Sequence, residues 1–479
     1  MSEAVDVIVI GAGTAGVPAA VEASSLGARV LLLERSDRIG GTLHVSGADL
    51  SGAGTRRQLE SGVTDDSPQR HFADIVRITG DTVRHDLLRR SVTLAADSID
   101  WLEDNGLRFT DRTPFIMMGH ETYATARTCK PLNGGHSIVE VFESLIAQQS
   151  ATGRLDLQLG ATVTDLVTVD GAVVGVEYER GGETHRVDCD HVILACGGYV
   201  GNHEMFRERH GRPLTSVGID TSRGDAITLT EKLGTRVVGD ERYLPTVGAL
   251  LGGDDLDWAL WASPRPVLNS SVRSPWEIHV TRAGRRFCSE DHPSLTARQE
   301  AVHALDDLTF FVVFDEHALT EAPPIMREWG AQGLRDAANA VPGVLRADSL
   351  GELAALAGID SQGLARTVAE YNVAVSTGRD VHLDRRFMPA PVAQGPFYAL
   401  EIHGIALDTF AGVDVDAQLR VLGGDNRPVP GLYAVGEAIG AAAMTGSIIC
   451  SGMLVTPCIS LGRAVARSIV ECLPVAART

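Results

Sequence analysis

The chain has 479 residues, a formal net charge of -20 and 44% hydrophobic residues. That length exceeds what one hydrophobic core usually serves and predicts two domains, and the mixed composition excludes a disordered or low-complexity chain. The acidic balance excludes a nucleic-acid surface, because the short arginine pairs at Arg89, Arg90 and Arg285, Arg286 are isolated and counterion release needs clustered cations. Seven cysteines, odd in number and without CxxC spacing, point to reduced thiols rather than a disulfide framework or a metal site. No signal peptide precedes the first apolar segment, so a cytoplasmic location is expected.

In chain order, "VDVIVIGAGTAGVPAAVEASSLGARVLLLER" reads as an apolar strand, a Gly-rich turn, a helix of small residues and a second strand ending in an acid. In that context Gly11 permits the tight turn, Gly13 lets backbone approach a pyrophosphate at a helix N-terminus, and Gly16 allows close helix–strand packing. Glu34 is then expected on a ribose diol, and Pro18 falls in the first helical turn, where its missing N–H costs little. Directly after the acid, "RIGGTLHVSGADLSG" supplies Gly40, Gly41 and Gly47 with the hydroxyls of Thr42 and Ser46, suited to a second approach of backbone to phosphate and ring. "DSIDWLEDNGLRF" predicts an amphipathic helix ending at Gly106. "HVILACGGYVG" and "PGLYAVGEA" each predict a strand running into glycine.

Three strand-then-glycine segments far apart in sequence imply one nucleotide domain built from both chain ends, and that arrangement points to FAD. The middle of the chain then becomes an insertion. From about 241 to 378 the composition changes: Trp258, Trp261, Trp276 and Trp329 lie there, and "SLGELAALAGIDSQGLARTVAEYNVAV" is helical in period. We therefore expect an FAD-binding domain at 1–240 and 379–479 and a capping, substrate-closing domain at 241–378, in an α/β fold with a Rossmann-like FAD domain and an α+β cap. Near the end, "EAIGAAAMTGSIICSGMLVTPCISLGR" carries no charge between Glu437 and Arg463. Its glycines and Pro457 make poor material for a membrane helix, so no integral membrane segment is expected.

The set "GAGTAG", "GGTLHVSG", "VILACGGY", "SRGDAI", "VTRAGRRFCSED", "TFAGVDVD" and "GLYAVGEA" resembles the succinate dehydrogenase and fumarate reductase flavoprotein family along essentially the whole chain. The order is most similar to its soluble branch of 3-ketosteroid delta-1-dehydrogenases and fumarate, urocanate and tricarballylate oxidoreductases. The resemblance implies cofactor contacts from Gly11, Gly13, Thr14, Ala15, Gly16, Glu34 and Arg35. It implies a second set along pyrophosphate and flavin from Gly40, Gly41, Thr42, Ser46, Gly47, Ala48 and Asp49. Val163 falls where adenine is touched, Ala195, Cys196 and Gly197 stand at the family's Ala-Thr-Gly, and Asp225, Gly436 and Glu437 also match, with Glu437 on the ribityl chain. The uncharged run matches the segment whose helix N-terminus faces the flavin pyrimidine, with Gly452, Leu454 and Val455 beside the ring. His44 lies in the loop that carries covalent flavin in membrane-bound members, but its offset from "SG" differs by about three residues, so non-covalent FAD is expected.

Flavin enzymes of this shape move a hydride between N5 and one carbon and a proton at its neighbour. The resemblance places the proton-transfer group after the cap's "RF..E" stretch, which makes Arg298 the first candidate and His292 the second; Arg298 paired with Glu290 or Asp291 is the alternative. Asp408 is a candidate base or a turn residue. Tyr123, in a loop with Arg127 and His136, is a candidate carbonyl or proton ligand or a core tyrosine. Ile449 stands where dicarboxylate enzymes have Arg, and Leu407 and Asp408 where they have His, so fumarate and succinate are not expected substrates and an apolar, cyclic ketone is. The expected reaction is dehydrogenation to a conjugated C=C; the alternatives are an ene-reductase with an external donor and a flavin-dependent isomerase. With no second nucleotide motif, haem motif or cysteine cluster, electrons pass to an external acceptor or come from an external donor: a quinone, an electron-transfer protein or oxygen.

Overall fold

The computed structural model describes residues 5–212, 215–241, 243–251 and 265–474. Trp258 and Trp261 of the tryptophan-rich insertion lie outside the described residues. The principal sheet has six strands in the order 420–422, 428–434, 192–194, 7–10, 30–34, 155–159. All neighbours run parallel except Arg420–Leu422, which is antiparallel to Pro428–Ala434. Val7–Ile10, Val30–Glu34 and Val192–Leu194 are buried at every position, the pattern of strands covered on both faces. The register sets Ile8 beside both Leu31 and Val192, and Val192 beside Leu432. The two ends of the chain therefore share one sheet.

Helix Gly16–Ser25 follows the first strand and packs against the last helix, Thr456–Cys472. Glu22 on the first accepts from Arg463 Nε at 2.8 Å and from Arg467 Nε at 2.6 Å on the last. Arg463 also pairs with Asp97 at 2.8 Å and lies 4.6 Å over the Trp101 ring. Those two residues belong to helix His85–Asp104, which begins earlier than its sequence periodicity suggested and stops where Gly106 takes φ +103°. An antiparallel three-stranded sheet, Thr162–Val169, Ala172–Arg180 and Glu183–Asp188, is inserted before Val192–Leu194.

A second, antiparallel sheet builds the cap. Its central strand Phe397–Ile405 pairs with Thr246–Ala249, Thr309–Asp315 and Val344–Ala347, and Thr309–Asp315 pairs in turn with Ile278–Val280. The long helical pattern near residue 360 is two helices, Leu350–Ala357 and Ser361–Thr377, divided at Gly358, whose φ of +64° ends the first. The strand Phe397–Ile405 lies past residue 378, so the cap's sheet extends beyond the boundary drawn from composition. The helical period stops there, but a strand of ordinary composition declares its sheet only through its partners.

Two histidines in this frame are fully desolvated. His71 has no hydrogen-bond partner on either ring nitrogen and packs edge-on against Tyr123 at 5.2 Å. Burial pulls its pKa down to about 3, and burial likewise pulls His279 down to about 4. Both stay neutral in the folded chain while the unfolded chain takes up their protons as pH falls below the ordinary histidine value. Stability is therefore expected to be complete above that value and to fall on acidification, by up to about 1.4 kcal/mol per pH unit for each histidine. Urea midpoints at mildly alkaline and mildly acidic pH check this, with His71→Phe expected to flatten part of the slope.

Candidate active site

One cavity of about 1260 Å³ runs from the first βαβ unit to the cap. Its nucleotide end begins at the glycine turn. Gly11 sits at φ +99°, and a Cβ there would lie 2.6 Å from the Ala195 carbonyl oxygen. A Cβ at Gly16 would lie 1.8 Å from the Gly11 carbonyl oxygen. At Gly13, by contrast, a Cβ would meet nothing within 4 Å, so this backbone faces open cavity. Two glycines thus serve packing between strand and helix, and one leaves room for a ligand.

Glu34 braces the same turn. Its Oε2 accepts from Ala12 N–H at 2.8 Å and its Oε1 from Ser36 N–H at 2.9 Å. Arg35 pairs with Asp225 at 2.6 Å across the opening, although burial still leaves the Asp225 pKa above its ordinary value. Gly40 donates its N–H to the Ala12 carbonyl at 2.8 Å, tying the second glycine loop to the first. His44 engages the Ile39 carbonyl through Nε2 at 2.8 Å.

Of the residues expected to hold the cofactor, the cavity wall includes Gly11, Gly13, Thr14, Ala15, Glu34, Arg35, Gly41 and Thr42. It also includes Ser46, Gly47, Ala48, Asp49, Val163, Ala195, Cys196, Gly197 and Asp225. From the chain's end come Gly436, Glu437, Gly452, Leu454 and Val455. Gly16 and Gly40 lie behind this wall as packing and turn positions. The uncharged run forms a short turn at Gly436–Ile439, a one-turn helix at Ala442–Thr445 and the start of helix Thr456–Cys472, which begins at the cavity. No helix among the described residues is long and apolar enough to cross a membrane.

The cavity fits a large, flat ligand with a phosphate-bearing tail. Its volume is large, it has an open backbone at Gly13, and a buried oxygen of Asp49 on its wall has no partner. The four candidate proton carriers separate. Asp408 lines the cavity and is 6% exposed. Tyr123 is buried behind the wall, donating to the Ser451 carbonyl at 2.6 Å. Its neighbour Arg127 is locked by Asp66 at 2.8 Å and Asp74 at 2.6 Å. His292 is exposed, and its Nδ1 accepts from Ser294 N–H at 3.1 Å. Arg298 is buried and donates to the Leu268 carbonyl at 2.8 Å and to Asn269 Oδ1 at 3.1 Å, both wall residues. Neither alternative Arg298 ion pair forms: Glu290 is taken by Arg286 at 2.6 Å and Arg385 at 3.2 Å, and Asp291 accepts from the Arg386 and Phe387 N–H groups at 2.9 and 2.7 Å.

At the substrate end the buried wall is apolar apart from Asp408: Val247, Leu268 and Ile449 are each less than a tenth exposed, and half-buried Met117 joins them. Ile116 and Met118, at 39% and 48% exposure, reach the mouth. Arg112, Arg265 and Arg327 line the cavity as exposed residues. His120 also lines it, its pKa pulled down to about 4 by burial. Sequence reasoning singled out only Ile449 among these. The uncharged "PFIMMG" stretch before His120 was the available signal; Val247 and Leu268 gave none, because only the cap's packing turns them inward.

A model of the FAD binding domain family matches residues 6–451. The fumarate reductase (cytochrome) of Shewanella frigidimarina is 29% identical over 476 residues, covering 96% of this chain and 76% of that protein. The 4-oxocyclohexanecarboxylate 2-dehydrogenase of Sinomonas cyclohexanicum is 24% identical, covering 92% of this chain and 88% of that one. The solved structure of 3-ketosteroid delta1-dehydrogenase from Sterolibacterium denitrificans, in complex with 1,4-androstadiene-3,17-dione, matches in fold with a TM-score of 0.80 at 19% identity, over 98% of this chain and 99% of that one.

The three glycines separate ligand binding from folding. Gly13→Ala is expected to leave the thermal midpoint of the cofactor-free protein unchanged and to weaken FAD binding at least about tenfold, since its methyl enters ligand space. Gly16→Ala is expected to destabilise the cofactor-free protein itself by about 1–3 kcal/mol. Thermal melts with and without added FAD, and a flavin fluorescence titration, check both.

Proposed function

This chain belongs to the FAD binding domain family and is an FAD-dependent oxidoreductase, and from that premise we propose that it introduces a C=C bond next to the carbonyl of an apolar, cyclic ketone. The observation that carries this reading is the division of the substrate end: apart from Asp408 the buried wall is apolar, while the arginines are exposed. A dicarboxylate would need buried, bidentate cations at both ends. Such a wall instead gains from desolvating a hydrocarbon ring, by roughly 25 cal/mol per Å² of apolar surface covered. The relative named 4-oxocyclohexanecarboxylate 2-dehydrogenase supports the cyclic-ketone part of this reading, its named substrate carrying a carboxylate besides the ring ketone.

Bound non-covalently, FAD supplies the acceptor for the hydride that leaves the carbon β to the carbonyl. The residues proposed to hold it are those of the glycine turn, the Gly40–Asp49 loop, Val163, Asp225, Glu437 and the Gly452–Val455 segment. The protein's own part is to bury the ring against Val247, Leu268 and Ile449, exclude water, and receive the α proton. His120 is assigned that last task from its place on the cavity wall; burial pulls its pKa down to about 4, so it starts uncharged and passes the proton on readily. Arg298 is assigned a positioning role, fixing the Leu268–Asn269 wall from behind. Tyr123 does the same for the Ser451–Gly452 backbone.

Two electrons per turnover then leave to an external acceptor, a quinone, an electron-transfer protein or oxygen, in the cytoplasm. The same site run backwards with an external donor would reduce an enone, the direction suggested by the fumarate reductase relative. Anaerobic mixing of the oxidised holoenzyme with cyclic ketones, steroids and carboxylates decides between the two. Bleaching of the flavin band by a saturated cyclic ketone is the expected result. Reoxidation of chemically reduced enzyme by an enone, with no bleaching by any ketone, would reverse the direction. Ile449→Arg is expected to slow ketone turnover at least about tenfold, because it places a charge on the apolar wall.

A further inference from the structure

Of the four proton carriers expected from the sequence, Asp408 alone lines the cavity, and its surroundings are unusual for a carboxylate. It is 6% exposed, its Oδ2 is buried without a partner, and no donor to either oxygen is present among the described residues. The adjacent residue gives its donors elsewhere. Thr409 donates its N–H to Glu437 Oε1 at 2.7 Å and its hydroxyl to the same oxygen at 2.8 Å, while its Oγ1 accepts from Tyr199 N–H at 3.1 Å. Two carboxyl groups thus share one buried corner, and all the local donors serve one of them. A carboxylate with two donors keeps its charge; a buried one with none, beside that charge, keeps its proton.

Resting on the ketone reading of the same cavity, we propose that Asp408 acts as a neutral carboxylic acid whose hydroxyl donates a hydrogen bond to the substrate carbonyl oxygen. The site therefore receives a neutral carbonyl and turns away a carboxylate, which would set three acidic groups together. As the α proton departs, negative charge builds on that oxygen and the hydrogen bond strengthens, so the donor acts most in the transition state. The electrostatics agree. Burial first, and the Glu437 charge second, push the Asp408 pKa up to about 8. Burial also raises Glu437, with the two Thr409 donors opposing it, so the first proton lost belongs to the pair and its charge settles on Glu437. The other titratable groups of this end of the cavity include His120, which is neutral, Cys450, whose thiol burial pushes up, and the exposed Arg112, Lys130, Arg265 and Arg327. Among the described residues only Glu437 contributes a charge effect at Asp408.

The test uses the FAD-loaded protein with cyclohex-2-enone as probe and cyclohex-1-ene carboxylate as its charged counterpart, titrated calorimetrically from mildly acidic to alkaline pH. Enone affinity is expected to hold at neutral pH and to fall about tenfold per pH unit once Asp408 ionises. Asp408→Asn keeps an N–H donor and should bind the enone at neutral pH within a few-fold of the parent, without the alkaline fall. Asp408→Leu should bind it about tenfold more weakly at every pH. An affinity that is flat in the parent, or rises across that range, overturns the proposal. Infrared difference spectra tell this failure from failure of the ketone reading. A protonated-carboxyl band near neutral pH that vanishes in Asp408→Asn is expected, and its absence overturns the proposal whether or not any ketone binds. That band without enone binding sinks the ketone reading and with it the carbonyl half of this inference.

Discussion

Everything at the active site depends on one short pairing. Val192–Leu194 lies between Val7–Ile10, near the beginning of the chain, and Leu432–Ala434, near its end, with parallel hydrogen bonds to both. Parallel neighbours cannot be joined by a tight turn, so each needs a long crossover. Here the crossovers are large enough to contain a three-stranded sheet and the whole cap. Because all the strands of this group point the same way, the loops that follow them gather at one sheet edge, where a ligand of an open α/β sheet is expected. The glycine turn, the Cys196–Gly197 segment and Gly436–Glu437 meet there for that reason. The ion pairs of Glu22 with Arg463 and Arg467 then hold the first helix against the last, and the start of the last helix belongs to the cavity.

The chemistry of the site follows from where donors are absent rather than from where they are abundant. The nucleotide end is rich in backbone N–H groups and has a carboxylate, Glu34, already bonded to the glycine turn. The substrate end has an apolar wall and two titratable groups pushed in opposite directions by the same burial: His120 toward a neutral base, Asp408 toward a neutral acid. Pairs of this kind let one site do acid and base work at a single pH. The cationic side chains stay exposed, where water screens them.

Several side chains that look chemical are structural. Arg127 is neutralised by two aspartates and stacks 4.9 Å from the Tyr123 ring, and that tyrosine spends its hydroxyl on the Ser451 carbonyl. Arg298 grips the backbone of the wall rather than reaching past it. Each of these could pass for a catalytic residue on identity alone. What separates them from Asp408 is whether their polar atoms already have partners.

The sequence by itself determined the nucleotide half. Gly11, Gly13 and Gly16 between a strand and a helix, Glu34 at the second strand's end, and the uncharged run after Glu437 all act through backbone conformation and local spacing, which linear order preserves. It also determined that the chain's two ends belong together, because their strand-then-glycine pattern repeats. Only the tertiary structure decided the substrate half. Val247 reaches the cavity from the irregular stretch of strand Thr246–Ala249 and Leu268 from a loop whose carbonyl Arg298 holds, and the cap's central strand pairs with segments as distant along the chain as Thr246, which lies opposite Ile405. Asp408 differs from any other aspartate only through Thr409 and Glu437, whose bonding is a fact of packing. Burial and the allocation of hydrogen-bond donors arise between segments distant in sequence, so no local pattern of residue types could have carried them.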